Sequence, residues 1–238
     1  VSPGRIIWSS SVEAIADTFS LDDIQALRTP LAYESVKRLT DVLALTHTLP
    51  SVRASSSYFI FDGDGKKRKT RQSRALDVMP PRMYVTHPGV VASTLFPCPW
   101  WLYWAYELTI AFCRWLGSPW HTCDAYSGAK SPVWLALQDQ DALDATGAER
   151  IKWGSSSNRQ REVMVKPTEV DDWGWRGRVE DAANDDEGVT GVLRKAIGRR
   201  PGVEDVSEES LQEFELLGRD CWEQMEELRA EWEAILDL

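Results

Sequence analysis

The stretch that most limits the fold is RIIW, residues 5–8, set between Pro3-Gly4 and a run of three serines. Its apolar residues Ile6, Ile7 and Trp8 are consecutive rather than alternating, and the run is too short for a helix. It reads as a strand buried on both faces, the environment of a parallel sheet interior. A parallel strand needs a crossover, and a helical pattern follows in PLAYESVKRLTDVLALTHTL. Leu31, Val36, Leu39, Val42, Leu43 and Leu45 roughly keep the 3.6-residue period, Pro30 suits a first turn, and Pro50 ends the run. MYVTHPGVV, residues 83–91, reads as a second buried strand. Strand, helix, strand predicts an α/β protein with a parallel sheet.

The remaining segments fill in around that frame. DTFSLDDIQAL, residues 17–27, predicts a short helix with Ser20 as N-cap and Asp23 at the third position. SGAKSPVWLALQ predicts a helix with Pro132 in its first turn. Residues 154–207, rich in Gly, Asp, Glu and Arg, are expected to be irregular, with local order around DDWGWRG. Residues 208–237 predict an amphipathic helix, because Leu211, Phe214, Leu217, Cys221, Met225, Leu228, Trp232 and Ile235 step by three or four. Ser207 can cap it, and self-docking on the domain is favoured over pairing with a partner.

A net charge of -10 argues against nucleic acid as a partner, since phosphate binding needs a cationic surface. The basic loop KKRKTR, residues 66–71, fits a solvated loop better than a headgroup contact. Cys98, Cys113, Cys123 and Cys221 show no ligand or disulfide spacing, so reduced thiols and no metal site are expected. No charged n-region precedes an apolar core, so no signal peptide is expected. Most of the twelve tryptophans lie between Trp100 and Trp175. Residues 100–116 are almost wholly apolar, interrupted by Glu107, Thr109 and Arg114. As a helix they would reach about 25 Å, short of the ~30 Å hydrocarbon layer. A substrate lid that touches a membrane without crossing it is the favoured reading, ahead of a true span or a buried core helix.

Tyr33 and Lys37 lie four apart in the predicted helix and therefore share a face. A phenol is a poor acid at neutral pH, and a neighbouring ammonium favours its anion, which makes the tyrosine a usable proton donor. A hydroxyl from the end of the first strand, Ser11, could bond the same substrate oxygen. Together the three side chains describe carbonyl reduction, although Tyr-x-x-x-Lys alone occurs readily by chance. His87, before Pro88, reads as structural rather than catalytic.

With its surroundings the pattern resembles the short-chain dehydrogenases/reductases, and more narrowly the 3-keto sterol reductases. GRIIWSSS, FSLDDIQ, AYESVKRLTDVLAL and VTHPGVVASTLF carry the resemblance, continued by RWLGSPWHT, GAKSPVWLAL and KWGSSS. It is strong over residues 4–50 and 83–137 and faint beyond 177. The 22 residues from Ser11 to Tyr33 exceed the usual family spacing, and FSLDDIQ fills that insertion. The resemblance implies Ser11 as carbonyl-orienting group, Tyr33 as general acid and cofactor contact, and Lys37 as the group that tunes Tyr33 and bonds the nicotinamide ribose. Pro88, Gly89, Val91 and Ser93 would line the nicotinamide. Val36 replaces the usual Ser before Lys37, and Ser93 stands where Thr is common.

The family's Thr-Gly-x-x-x-Gly-x-Gly turn is absent, so the resemblance implies a Rossmann-type parallel sheet without its N-terminal cofactor-binding half. Residues 1–153 would be the C-terminal part of the catalytic domain. The implied reaction is NADPH-dependent reduction of a 3-keto sterol to the 3β-alcohol, at the cytosolic face of the endoplasmic reticulum membrane. Other sterol C-4 demethylation enzymes would be partners. Two alternatives stand beside it: a non-catalytic relic that binds membrane and partners, and a reductase of another steroid or lipid ketone.

Overall fold

A computed structural model describes residues 3–53, 55, 81–92, 99–179 and 205–236. Its centre is a four-stranded sheet built from β1 (Arg5–Ser9), β2 (Arg82–His87), β5 (Lys152–Ser157) and β6 (Val163–Thr168), in that spatial order. The first three strands are parallel, with Ser9 beside Thr86 and Thr86 beside Trp153. A second, two-stranded parallel pair joins β3 (Val90–Val91) to β4 (His121–Cys123).

The period of two along β2 divides the core. Met83 and Val85 join Val42, Leu45, Trp173, Phe214 and Trp222 on one face, while Tyr84 joins Leu135, Leu143, Ile151 and Trp153 on the other. Helix α1 (Ala32–Thr46) covers the first face, and α4 (Lys130–Leu137), which lies between the short helices α3 (Ala125–Gly128) and α5 (Gln140–Thr146) in the chain, covers the second. RIIW is thus sandwiched as its apolar run requires, with Ile6 and Trp8 towards one core and Ile7 towards the other.

The sheet is mixed rather than wholly parallel, because β6 returns antiparallel to β5. Only residues 158–162 join the two strands, too few for a crossover. Asn158 closes this loop by accepting the N–H groups of Gln160 and Glu162 on its side-chain oxygen. Residues 154–168, expected to be irregular, therefore form most of a hairpin whose first strand is buried throughout. Pro167 is tolerated because β6 is the last strand of the sheet among the described residues.

The short helix expected over residues 17–27 is replaced by two 3-10 turns, Ala16–Thr18 and Leu21–Asp23, and Ser20 makes no side-chain cap. The Asp23 carboxylate instead accepts backbone N–H bonds from Leu27, Arg28 and Thr29, which turns the chain back on itself.

At the other end, α6 (Glu208–Leu236) starts as predicted, with Ser207 Oγ accepting from the Ser210 N–H at 3.1 Å. It docks on α1 through Phe214, Gly218, Cys221 and Trp222. A Cβ on Gly218 would lie 2.5 Å from Thr46 Oγ1, so glycine permits the close crossing. The stripe does not stay buried to the end, since Trp232 and Ile235 are exposed. The basic loop at 66–71 and Cys98 lie outside the described residues. Cys113 and Cys221 are free thiols.

Candidate active site

The carboxyl ends of β1 and β2 carry the groups of interest, as expected where parallel strands stop and helices begin. β1 ends at Ser9, and the Ser10 N–H still reaches the Thr86 carbonyl at 2.7 Å before the chain turns away. Tyr33 and Lys37 leave α1 on one face, with Lys37 Nζ 5.6 Å from the centre of the Tyr33 ring. That ammonium donates to the Ser9 carbonyl at 2.6 Å, and Ser10 Oγ donates back to the Lys37 carbonyl at 3.3 Å. The second turn of α1 is thereby tied to the end of β1. Tyr33 itself is 56% exposed.

Ser11 is buried, and its Oγ accepts from the Glu13 N–H at 3.1 Å. That bond leaves its own O–H proton free to donate. The structure brings Tyr33 and Lys37 together, while among the described residues no hydrogen bond joins Ser11 to either side chain; Ser11 follows two residues after the Ser9 carbonyl that Lys37 holds.

After β2 the chain runs through Pro88 and Gly89 into β3. Gly89 has φ +77°, and a Cβ there would lie 2.5 Å from the Trp120 carbonyl oxygen and 3.0 Å from that of Ser155. No other residue type fits this turn without strain. Val91 is half-buried in β3, whereas Ser93 lies outside the described residues.

His87 is fully buried beneath this turn and has a structural part. Its Nδ1 accepts from the Gly89 N–H at 3.1 Å, so Nε2 carries the proton and donates to Thr168 Oγ1 at 2.7 Å. The ring sits over Gly154, where a Cβ would come within 2.4 Å of it. Burial, and secondarily the Lys152 ammonium, hold its pKa well below the ordinary 6.5. The folded protein therefore keeps His87 neutral while the unfolded chain takes up a proton. Its stabilising effect is complete above about pH 6.5 and is lost progressively below that, at up to ~1.4 kcal/mol per pH unit. Half-buried His121 shifts in the same direction through burial. Urea unfolding between about pH 7 and pH 5.5 should show falling stability, and His87→Asn should reduce that slope. An unchanged slope in the variant would contradict the buried neutral imidazole.

Helix α2 (Trp100–Trp115) packs against β4, the strand paired with β3. Burial, and then the Glu13 carboxylate, push the phenol of Tyr106 on this helix up. Its outer side is apolar: Trp101, Trp104, Leu108, Phe112 and Trp115 are all more than half exposed. Such a contiguous patch is unusual for a surface that meets only water. Among the described residues no helix is long and apolar enough to cross a membrane.

The sequence reading missed a buried charge cluster behind these groups. Lys152 Nζ donates to Asp41 Oδ2 at 2.6 Å and to the Ser11 carbonyl at 2.6 Å. Burial lowers the Lys152 pKa, and the adjacent Asp41 carboxylate opposes that shift. Arg38, also buried, donates to the Asp171 carbonyl and the Asp172 carboxylate, each at 3.0 Å. One signal was available in the sequence: Arg38 and Asp41 fall on the same helical stripe as Val42 and Leu45, so charge sits on the face that must be buried.

No family model matches the chain, and no solved structure matches it. Among curated proteins it is 54% identical over 237 residues to the 3-keto-steroid reductase ERG27 of Gibberella zeae, across 99% of this chain and 48% of that protein. It is 43% identical over 243 residues to the 3-keto-steroid reductase erg27 of Aspergillus fumigatus, across 99% of this chain and 52% of that protein. The 3-keto-steroid reductase of Kluyveromyces lactis is 30% identical over 173 residues, 72% of this chain and 42% of that protein. The chain spans about half the length of the curated relatives it matches.

Proposed function

The chain is a homologue of the fungal 3-keto-steroid reductases, and on that premise we propose that it carries the proton-donating part of an NADPH-dependent reduction of a 3-keto sterol to the 3β-hydroxy sterol. The observation that carries this reading is the Lys37 ammonium, held between the Ser9 carbonyl at 2.6 Å and the exposed Tyr33 ring at 5.6 Å. An accessible phenol beside a fixed cation, at the carboxyl end of a parallel strand, is suited to giving a proton to a carbonyl oxygen.

The donor set fits a nicotinamide ribose. Lys37 uses one of its three N–H donors on Ser9, so two stay available beside the phenol. Pro88, Gly89 and Val91 would form the wall for the ring, and Ser93 would complete it. When bound, the nicotinamide supplies the hydride to the carbonyl carbon. The chain's own groups act on the oxygen: Ser11 Oγ orients it, Tyr33 protonates it as the C=O π bond breaks, and Lys37 favours the phenolate left behind. In this reading β1, β2 and β5 belong to a Rossmann-type sheet of the short-chain dehydrogenase/reductase kind.

The apolar outer side of α2 would rest on the cytosolic face of the endoplasmic reticulum membrane, with its tryptophans at the headgroups. A water-insoluble sterol would then enter beside Ser11 without crossing water. Other enzymes of sterol C-4 demethylation would be its neighbours there.

The test is a titration of the 238-residue chain with NADPH, followed by nucleotide fluorescence, then loss of nicotinamide absorbance with a 3-keto sterol. The same assay is run on a chimera joining this chain to the part of the Gibberella zeae protein it does not match. Reduction by the chimera is the expected result. A folded chimera that binds NADPH and leaves the ketone untouched would overturn the reading.

A further inference from the structure

Helix α1 presents Tyr33, Lys37 and Asp41 at intervals of four residues, in one row along its length. The first two reach the surface, and Asp41 at the far end is fully buried. Its partner Lys152 opens β5 and is only 3% exposed. Lys152 stands beside Val85 in the sheet, on the face that α1 covers. A lysine placed there is costly, because taking an ion pair out of water costs several kcal/mol per charge, and well-packed apolar residues serve stability as well or better. What the pair supplies is geometry. One ammonium links α1, through Asp41, to the Ser11 carbonyl, at 2.6 Å on each side.

The same short turn is gripped a second time. Lys37 holds the Ser9 carbonyl at 2.6 Å, so the carbonyls on either side of Ser10 are each bound by an ammonium from a different element. Further along, the Asp171 carboxylate accepts the Ala16 N–H at 2.9 Å, while Arg38 of α1 holds the Asp171 carbonyl. The end of β1 and the segment after it are therefore tied to α1 through both lysines, through Ser10 Oγ on the Lys37 carbonyl, and through Asp171.

We propose that Lys152 and Asp41 form a positioning clamp that sets the Ser11 turn against α1, so that Ser11 Oγ and the Tyr33 phenol address one substrate oxygen. The proposal rests on the reading of Tyr33 and Ser11 as reductase groups. Neither Lys152 nor Asp41 touches the substrate; both act through the placement of Ser11.

The clamp is tested by Asp41→Leu combined with Lys152→Met, which removes both charges together and leaves no unpaired ion in the core. In the 238-residue chain, the amides of Ser10, Glu13 and Ala14 report the turn, since they bond to Thr86, Ser11 Oγ and the Ser11 carbonyl. Their hydrogen exchange should quicken by about tenfold or more, with the amides of Leu45 and Met225 unchanged as core reporters. In the chimera, kcat should fall by about tenfold to a hundredfold while KM stays within about threefold, the pattern of a misplaced group rather than a lost binding contact. A folded variant with unchanged exchange at the turn overturns the clamp. Faster exchange with unchanged kcat overturns its catalytic purpose. If the double variant does not fold, Asp41→Asn, which keeps the side-chain shape, takes its place with the same readings. A parent chimera that reduces no ketone refutes the reductase reading, and the exchange comparison still decides whether the clamp exists.

Discussion

Tyr33→Phe is expected to lower kcat for ketone reduction by roughly 10²- to 10⁴-fold, the usual worth of a positioned general acid. The substitution deletes one oxygen and keeps the ring. At 56% exposure that oxygen supports no core packing, and the ring 5.6 Å from Lys37 Nζ is retained, so the fold should survive. NADPH affinity should change little, because Lys37 keeps its hold on Ser9 and its remaining donors. Activity and thermal unfolding measured on the same chimera separate the two effects. Retained activity would show that another group gives the proton, whereas loss of activity together with lost NADPH binding would point to a binding role for Tyr33.

Trp222→Ala is expected to cost about 3–5 kcal/mol of stability, a large share of the roughly 5–15 kcal/mol that holds a domain together. Trp222 is 2% exposed, packs among Val42, Leu45 and Phe214, and donates its Nε1–H to the Leu43 carbonyl at 3.2 Å. Removing it opens a cavity at the seam between α6 and α1. Trp232 lies on the same helix and in the same apolar stripe, yet is 56% exposed. Trp232→Ala should therefore change stability by less than about 0.5 kcal/mol. Urea unfolding of the two variants compares like with like. Equal losses would mean that α6 docks differently from the arrangement described.

The geometry that joins Tyr33 to Lys37 could be read from the chain itself. Tyr33 and Lys37 meet because any α-helix brings residues four apart onto one face, whatever surrounds it. RIIW could be placed in a sheet interior because consecutive apolar residues have no wet side to offer. The start of α6 was readable for the same local reason, a serine before an acidic first turn. The failures are local competitions with more than one outcome. DTFSLDDIQAL carries a fair helix pattern, but Asp23 found three backbone donors outside a helix and took them. VMVKPT, with a lysine and a proline, does not look like a core strand; among the described residues it is an edge strand, paired with β5 alone.

The row of Tyr33, Lys37 and Asp41 shows where the division falls. The sequence by itself determined that row, because helical period is a property of backbone sterics within a few residues. It also determined that 100–116 would be an apolar helix. Which side of α2 faces outward was decided only when β4 came to lie against its inner side. The pairing of Asp41 with Lys152, 111 residues away, was likewise decided by the tertiary structure. A charge in a sequence looks like a surface residue until an opposite charge is known to share its place in the core. That place exists only after β1, β2 and β5 have assembled beneath α1, since the energy of an ion pair depends on distance and burial and not on separation along the chain.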